Sequence, residues 1–280
     1  MRRILLATDF SDNANDALEY VLRLVENDKS EIQLLTVVRP VVVDISDATM
    51  VNARATELVI ERSKQNLGEL KASVVNHRNE FDLVNLTITT FVSVGSVANE
   101  IVRQADAFQA DFIIIGARGE SLTTIGRYLG TTSTKVVRSA NCPVILIPHN
   151  YKYQKLDNLI FSSNLDTGDS FELHRALNLL SPHKPLVRIV HVKNPYDEEN
   201  KSRLEAFSKY MLDHSSAIRT VFEIATSSDV VELINERALR YDAELIVMHR
   251  SKKRLLELLF KSSHTREMIF LASVPLMVLN

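Results

Sequence analysis

The chain has 280 residues, 45% of them hydrophobic and 24% charged, with a formal net charge of −2. That length suits two domains of ordinary size, and the near-neutral balance gives no reason to expect a nucleic-acid or membrane surface. A lone cysteine, Cys142, excludes an intrachain disulfide and fits a reducing, cytoplasmic setting; Met1-Arg2-Arg3 precedes an apolar run too short for a signal-peptide core, and no stretch approaches the roughly 20 apolar residues that span a bilayer.

Residues 3–7 (Arg-Ile-Leu-Leu-Ala) read as a buried strand ending at Thr8-Asp9-Phe10-Ser11, where Ser11 or Asp12 caps a helix carrying Ala14, Ala17, Leu18, Val21, Leu22 and Val25 at helical spacing. A second strand follows over 32–38, a long amphipathic helix over 48–75, a third strand over 83–92, a helix from Gly95-Ser96 to Phe108, and a fourth strand over 111–115. Thr131 to Ser139 predicts a short helix, and 143–148 a fifth strand. Continuous apolar strands alternating with helices imply a mostly parallel sheet covered on both faces, with ligands off the C-terminal strand ends at a switch point.

After the polar stretch 149–154 the pattern repeats. Strands are expected over 158–163, 186–192, 217–224, 244–248 and 275–279, with helices over 171–180 and 197–214 and a third helix capped by Thr226-Ser227-Ser228-Asp229 and running through Tyr241. Asn141-Cys142-Pro143-Val144-Ile145-Leu146-Ile147 is echoed by Ser273-Val274-Pro275-Leu276-Met277-Val278-Leu279. The second copy is shorter between its second and third strands. A tandem duplication is therefore expected, with domains at 1–150 and 151–280.

Four of the seven glycines (Gly116, Gly119, Gly126, Gly130) fall in one window, between the apolar run Ile113-Ile114-Ile115 and the hydroxyl cluster Thr131-Thr132-Ser133. A glycine-rich loop between a buried strand and a helix start lets backbone N–H groups approach an anion; it can also serve only as a tight turn.

With those residues in view the chain resembles a tandem universal stress protein. In that family an Asp follows the first strand, matched by Asp9, and a G-x-x-G-(nine residues)-G-[Ser/Thr] loop follows the fourth, matched by Gly116, Gly119 and Gly130-Thr131. The resemblance covers nearly the whole chain. It implies an α/β chain of two tandem flavodoxin-like domains, each a five-stranded mostly parallel sheet flanked by helices, with the fifth strands pairing edge to edge so that one chain mimics a dimer. It also implies an adenine-nucleotide site in the N-terminal domain only, taking ATP or AMP, with Mg²⁺ accompanying ATP. Ala7, Thr8 and Asp9 would lie on the ribose side, and backbone at Val37 on the adenine. Gly116, Arg118 and Gly119 would line the phosphate path, and Gly130, Thr131, Thr132 and Ser133 would hold phosphates. The expected function is that of a cytoplasmic stress-response sensor or adaptor, not an enzyme, acting on an unknown protein partner and binding neither nucleic acid nor membrane. The other readings are a pure interaction protein and a slow Mg²⁺-dependent ATPase. Pairing of two chains into a homodimer is left open.

Two departures stand out. Residues 120–129 make the loop ten residues long, where the family has nine. In the second half Asn164 replaces Asp9, and His249, Lys252 and Ser262 replace the three glycines, so this half reads as a sheet-pairing partner without the nucleotide site. The basic run Arg250–Arg254, with Lys261 and His264, reads as a solvated loop because no aromatic residues interleave it. Sequence spacing offers His249 and His264 no metal-binding companions. Cys142 reads as a packing residue, since no His-Asp arrangement accompanies it.

Overall fold

The computed structural model describes residues 1–26, 28–42, 49–76, 83, 85–117, 130–180, 182–193, 200–214, 219–249 and 273–280. The chain divides into two compact units, parting at Val144 and Ile145. In chain order the elements are β1 (Arg2–Ala7), α1 (Asp12–Leu24), β2 (Ser30–Val38), α2 (Thr49–Asn76), β3 (Leu86–Val94), α3 (Val97–Phe108), β4 (Phe112–Gly116), α4 (Thr131–Ser139) and β5 (Val144–Ile147). They continue with β6 (Asn158–Ser163), α5 (Thr167–Leu179), β7 (Leu186–Lys193), α6 (Asn200–His214), β8 (Thr220–Thr226), α7 (Val230–Arg240), β9 (Leu245–His249) and β10 (Leu276–Leu279).

In the first unit the strands lie in the order β3-β2-β1-β4, all parallel. In the second they lie in the order β10-β9-β6-β7-β8, again all parallel. Each is the α/β architecture that the alternation of strands and helices predicts. The central strands have no wet face: Ile4, Leu5 and Leu6 of β1 and Phe112 to Ile114 of β4 are fully buried, as are Ile160, Phe161, Leu245, Ile246 and Val247 of β6 and β9. Each such side chain contributes about 1.5–3 kcal/mol by leaving water, which explains the unbroken apolar runs.

The duplication extends to backbone detail. Asp111 accepts from the N–H of Arg3 at 2.7 Å, and Glu244 from that of Asn158 at 2.6 Å, so in both units a carboxylate just before the fourth strand fixes the start of the first. The Ile113 N–H donates to Pro143 O at 2.9 Å and the Ile246 N–H to Pro275 O at 3.0 Å, setting the head of the fifth strand in the same way. The loss of material between second and third strands is seen as a 28-residue α2 against a 15-residue α6.

Some boundaries differ from expectation. β3 runs later than the sequence suggests because apolar Leu83 belongs to a turn whose carbonyl takes the Leu86 N–H at 3.2 Å, and β8 also runs later, over Thr220–Thr226. α5 begins at Thr167 and not at Phe171, because Asp166 caps it and accepts from the Asp169 N–H at 2.9 Å.

Cys142 sits half-buried just ahead of β5, and its thiol is pushed up to about 12, mainly by burial and secondarily by Asp106. At pH 8 only about one molecule in ten thousand would carry a thiolate. Iodoacetamide should therefore alkylate the folded chain about a thousandfold more slowly than the denatured chain at that pH, as followed by mass spectrometry. Equal rates would show an open, reactive thiol.

Candidate functional site

The first unit's chain reverses its direction across the sheet between β1 and β4. α1 and α2 carry it outward to β2 and β3, and α3 then returns it to the far side of β1. In open parallel sheets such a switch point leaves a crevice off the C-terminal strand ends. Ala7 pairs with Ile115 across this point and with Leu35 on the other side, so Thr8-Asp9, Val37 and Gly116-Ala117 lie at neighbouring strand ends.

β1 ends in a tight bend. The Thr8 N–H donates to Leu35 O at 2.8 Å, and Thr8 Oγ1 accepts from the Phe10 N–H at 3.0 Å. Phe10 has φ 64°, a left-handed conformation that costs a bulky residue energy and is held here by its surroundings. Asp9 is exposed; its carboxylate accepts from both the N–H and the hydroxyl of Ser11, at 3.1 and 2.6 Å. The helix cap is Ser11, which accepts from the Ala14 N–H, so Asp9 shapes the loop and α1 does not need it as a cap.

On the β4 side, Ala117 O accepts from the Gly130 N–H at 2.8 Å and from Ser133 Oγ at 2.9 Å. These bonds hold the start of α4 at the mouth of the crevice. Gly130 is the N-cap and brings no side chain, and the first turn, Thr131-Thr132-Ser133, has no acid. By contrast α1, α5 and α7 each have both a capping side chain and an acidic residue in the first turn. Among the described residues no side chain caps the start of α4, a helix end of the kind that suits an anion. Thr131 is exposed and Thr132 half-buried, but Ser133 is buried and also donates to Gly130 O at 3.0 Å. Its hydroxyl, expected among the phosphate donors, is committed to two carbonyls and ties the loop instead. Arg118, Gly119 and the ten-residue span lie outside the described residues, as do Lys252, Ser262 and the basic run.

The second unit repeats the bend with different chemistry. Ser163 Oγ accepts from the Leu165 N–H at 2.8 Å and Leu165 has φ 60°, as at Thr8 and Phe10. Asp166 stands for Ser11 as the cap of α5, and buried Asp169 stands where the first unit has Ala14. The Asp169 carboxylate accepts from Ser163 Oγ at 2.9 Å, from the Asn164 N–H at 2.7 Å, and faces His249 Nδ1 at 3.0 Å.

His249 occupies the place of Gly116, and the structure shows how it fits. A Cβ on Gly116 would lie 2.9 Å from Asn13 Cγ and Oδ1 and 3.0 Å from Asn13 O. Among the described glycines only Gly95 has a positive φ, so Gly116 is required for space and not for its backbone angle. In the second unit the position of Asn13 is taken by Gly168, and a Cβ there would come within 3.6 Å of His249 Cε1. The glycine has moved from the strand to the helix, and the imidazole fills the gap. Sequence reasoning missed Asp166, Gly168 and Asp169. His249 meets them only through folding, and the one local signal was a glycine between acids at a helix start.

Gly116→Ala should cost about 1–3 kcal/mol in urea denaturation by overpacking. In a double-mutant cycle Asn13→Gly should couple favourably to it, by about 0.5 kcal/mol or more. Additive losses would place the strain elsewhere.

Comparison with known proteins agrees with this geometry. The universal stress protein family matches residues 1–148. Universal stress protein MJ0531 of Methanocaldococcus jannaschii is 28% identical over 148 residues, covering 52% of this chain and 81% of the relative. Universal stress protein YxiE of Bacillus subtilis is 26% identical over 145 residues, covering 52% of this chain and 97% of the relative. Among solved structures, a universal stress protein from Archaeoglobus fulgidus superposes with a TM-score of 0.69 at 17% identity, covering 99% of this chain and 96% of that one, a likeness of fold. With the family matched across more than half of its length and the duplicated α/β units in place, the chain belongs to the universal stress protein family.

Proposed function

We propose that the first unit binds an adenine nucleotide, ATP or AMP, and that the protein acts as a cytoplasmic sensor or adaptor whose nucleotide state is read by a protein partner. The observation that carries this reading is the start of α4: a glycine cap, no acid in the first turn, and a tether to Ala117 O that holds it at the switch point beside Thr8-Asp9. Phosphates would meet the N–H groups of that turn and the hydroxyls of Thr131 and Thr132, with Arg118 and Gly119 on their path. Asp9, already oriented by Ser11, would accept from ribose hydroxyls, and backbone at Val37 would edge the adenine. Gly116 keeps that wall flat. Mg²⁺ would accompany ATP and offset the charge of its phosphates. Family membership supports the reading, and among the described residues no helix is long and apolar enough to cross a membrane.

A second reading, an interaction protein that binds no nucleotide, draws on Ser133, whose hydroxyl is already satisfied within the loop. Calorimetric titration with ATP, ADP and AMP separates the two. Binding is expected, with a thermal shift of several degrees at saturating nucleotide, since a ligand at a hundred times its Kd stabilises by about 2.7 kcal/mol. Asp9→Ala and Gly130→Lys should abolish both signals, and Asn164→Ala should leave them intact. No heat and no shift at millimolar nucleotide would remove the nucleotide reading. Phosphate release above a no-protein blank would turn it into an ATPase.

A further inference from the structure

We propose that the second unit has exchanged the nucleotide crevice for a binding site for a divalent transition-metal ion of the zinc class, held by Asp166, Asp169 and His249. One ligand atom from each of the three lies within 4.8 Å of the others. All three positions change together between the units: where the second has Asp166, Asp169 and His249, the first has Ser11, Ala14 and Gly116, none of which supplies a carboxylate or imidazole. Gly168 puts no side chain among the three ligands; a Cβ there would stand 3.5 Å from Asp166 Oδ1 and 3.6 Å from His249 Cε1.

One pair of the three already stands near the spacing of two donors on a bound ion. His249 Nδ1 lies 3.0 Å from Asp169 Oδ1, and an ionised carboxylate only accepts, so Nδ1 carries a proton directed at that oxygen. Donors about 2.0–2.2 Å from a tetrahedral ion stand about 3.3 Å apart. An ion can therefore replace that proton with a few tenths of an ångström of expansion, the proton moving to Nε2 as the imidazole changes tautomer. Asp169 is already oriented: its other oxygen holds Ser163 Oγ and the Asn164 N–H, the kind of support that fixes a metal-binding carboxylate. Asp166 is exposed and caps α5 by accepting from the Asp169 N–H, so it would complete the set from the solvent side.

A further imidazole braces this end of the sheet. His191, at the C-terminal end of β7, is only 7% exposed, and its Nδ1 lies 2.9 Å from Ser163 O. A carbonyl accepts, so Nδ1 bears the hydrogen of that bond. Nε2 is buried with no partner among the described residues. Its ring is fixed to Ser163, the residue whose hydroxyl holds Asp169. One imidazole and two carboxylates suit zinc or cobalt better than Mg²⁺ or Ca²⁺, which take oxygen ligands alone.

The test uses the untagged full chain, stripped with chelator and titrated with Co²⁺. The expected result is visible ligand-field absorption saturating at one ion per chain, erased by Zn²⁺ and untouched by excess Mg²⁺. Asp166→Ser keeps a helix cap and His249→Gln keeps a polar side chain of similar length; each should weaken Co²⁺ binding about tenfold or more, with far-ultraviolet circular dichroism unchanged. Asp229→Ser, at the cap of α7, should leave it unaffected. Absence of the absorption, or equal affinity in both second-unit variants, would overturn the proposal.

Discussion

The structure turns on the room left between the end of the fourth strand and the first turn of the helix that follows the first strand. In the first unit Asn13 leaves no room there for a side chain at position 116. The first unit gives the space to Asn13 on the helix and leaves Gly116 bare; the second gives it to His249 on the strand and leaves Gly168 bare. Both solutions fill the same gap, so the sheet and helix can stay in register while the chemistry facing the crevice changes. With Gly116 the strand side is a smooth wall suited to a flat, extended ligand. With His249 it carries a nitrogen ligand aimed at a buried carboxylate.

What both units retain is the backbone frame. Phe10 and Leu165 occupy the left-handed region at matching places, each with its N–H on a hydroxyl two residues back. Strain of order 1–3 kcal/mol per residue persists only where the surroundings enforce it. Its presence in both units says that the bend belongs to the fold's way of opening a crevice above the sheet, whatever lines it. The specific ligand is then decided by a few side chains at cap and strand-end positions, which can change without disturbing the core.

Most of the frame was legible in the sequence, because it rests on local signals. Buried parallel strands need unbroken apolar runs, and Ile113-Ile114-Ile115 or Leu245-Ile246-Val247 supply them; Ser11 and Asp229 sit at helix starts as capping chemistry requires. The repeated Pro143 and Pro275 fixed the fifth strands. The candidate site could be read from sequence only where neighbours act together, as at Gly130-Thr131-Thr132, whose glycine cap at the start of α4 the structure places. The commitment of Ser133 to Ala117 O, the steric need for Gly116, and the meeting of Asp166, Asp169 and His249 are all contacts between segments distant in the chain. A glycine kept for space looks the same in sequence as one kept for its backbone angle. An imidazole eighty residues from its carboxylate shows no spacing at all.

Asp169 is the residue that a purely structural second unit has no reason to carry. Alanine, as at position 14, fills the same place at no cost in desolvation. A fully buried carboxylate must be compensated by donors, and here three groups provide them: a hydroxyl, a backbone N–H and an imidazole. Burying such a polar cluster commonly stabilises a fold no more than apolar residues of the same volume would, and removing any one partner leaves an exposed deficit. Ser163, Asp169 and His249 together therefore represent a larger investment than packing requires, made at the strand ends where this architecture places its ligands. The second unit is better understood as a crevice with new chemistry than as a scaffold from which the old chemistry has been lost.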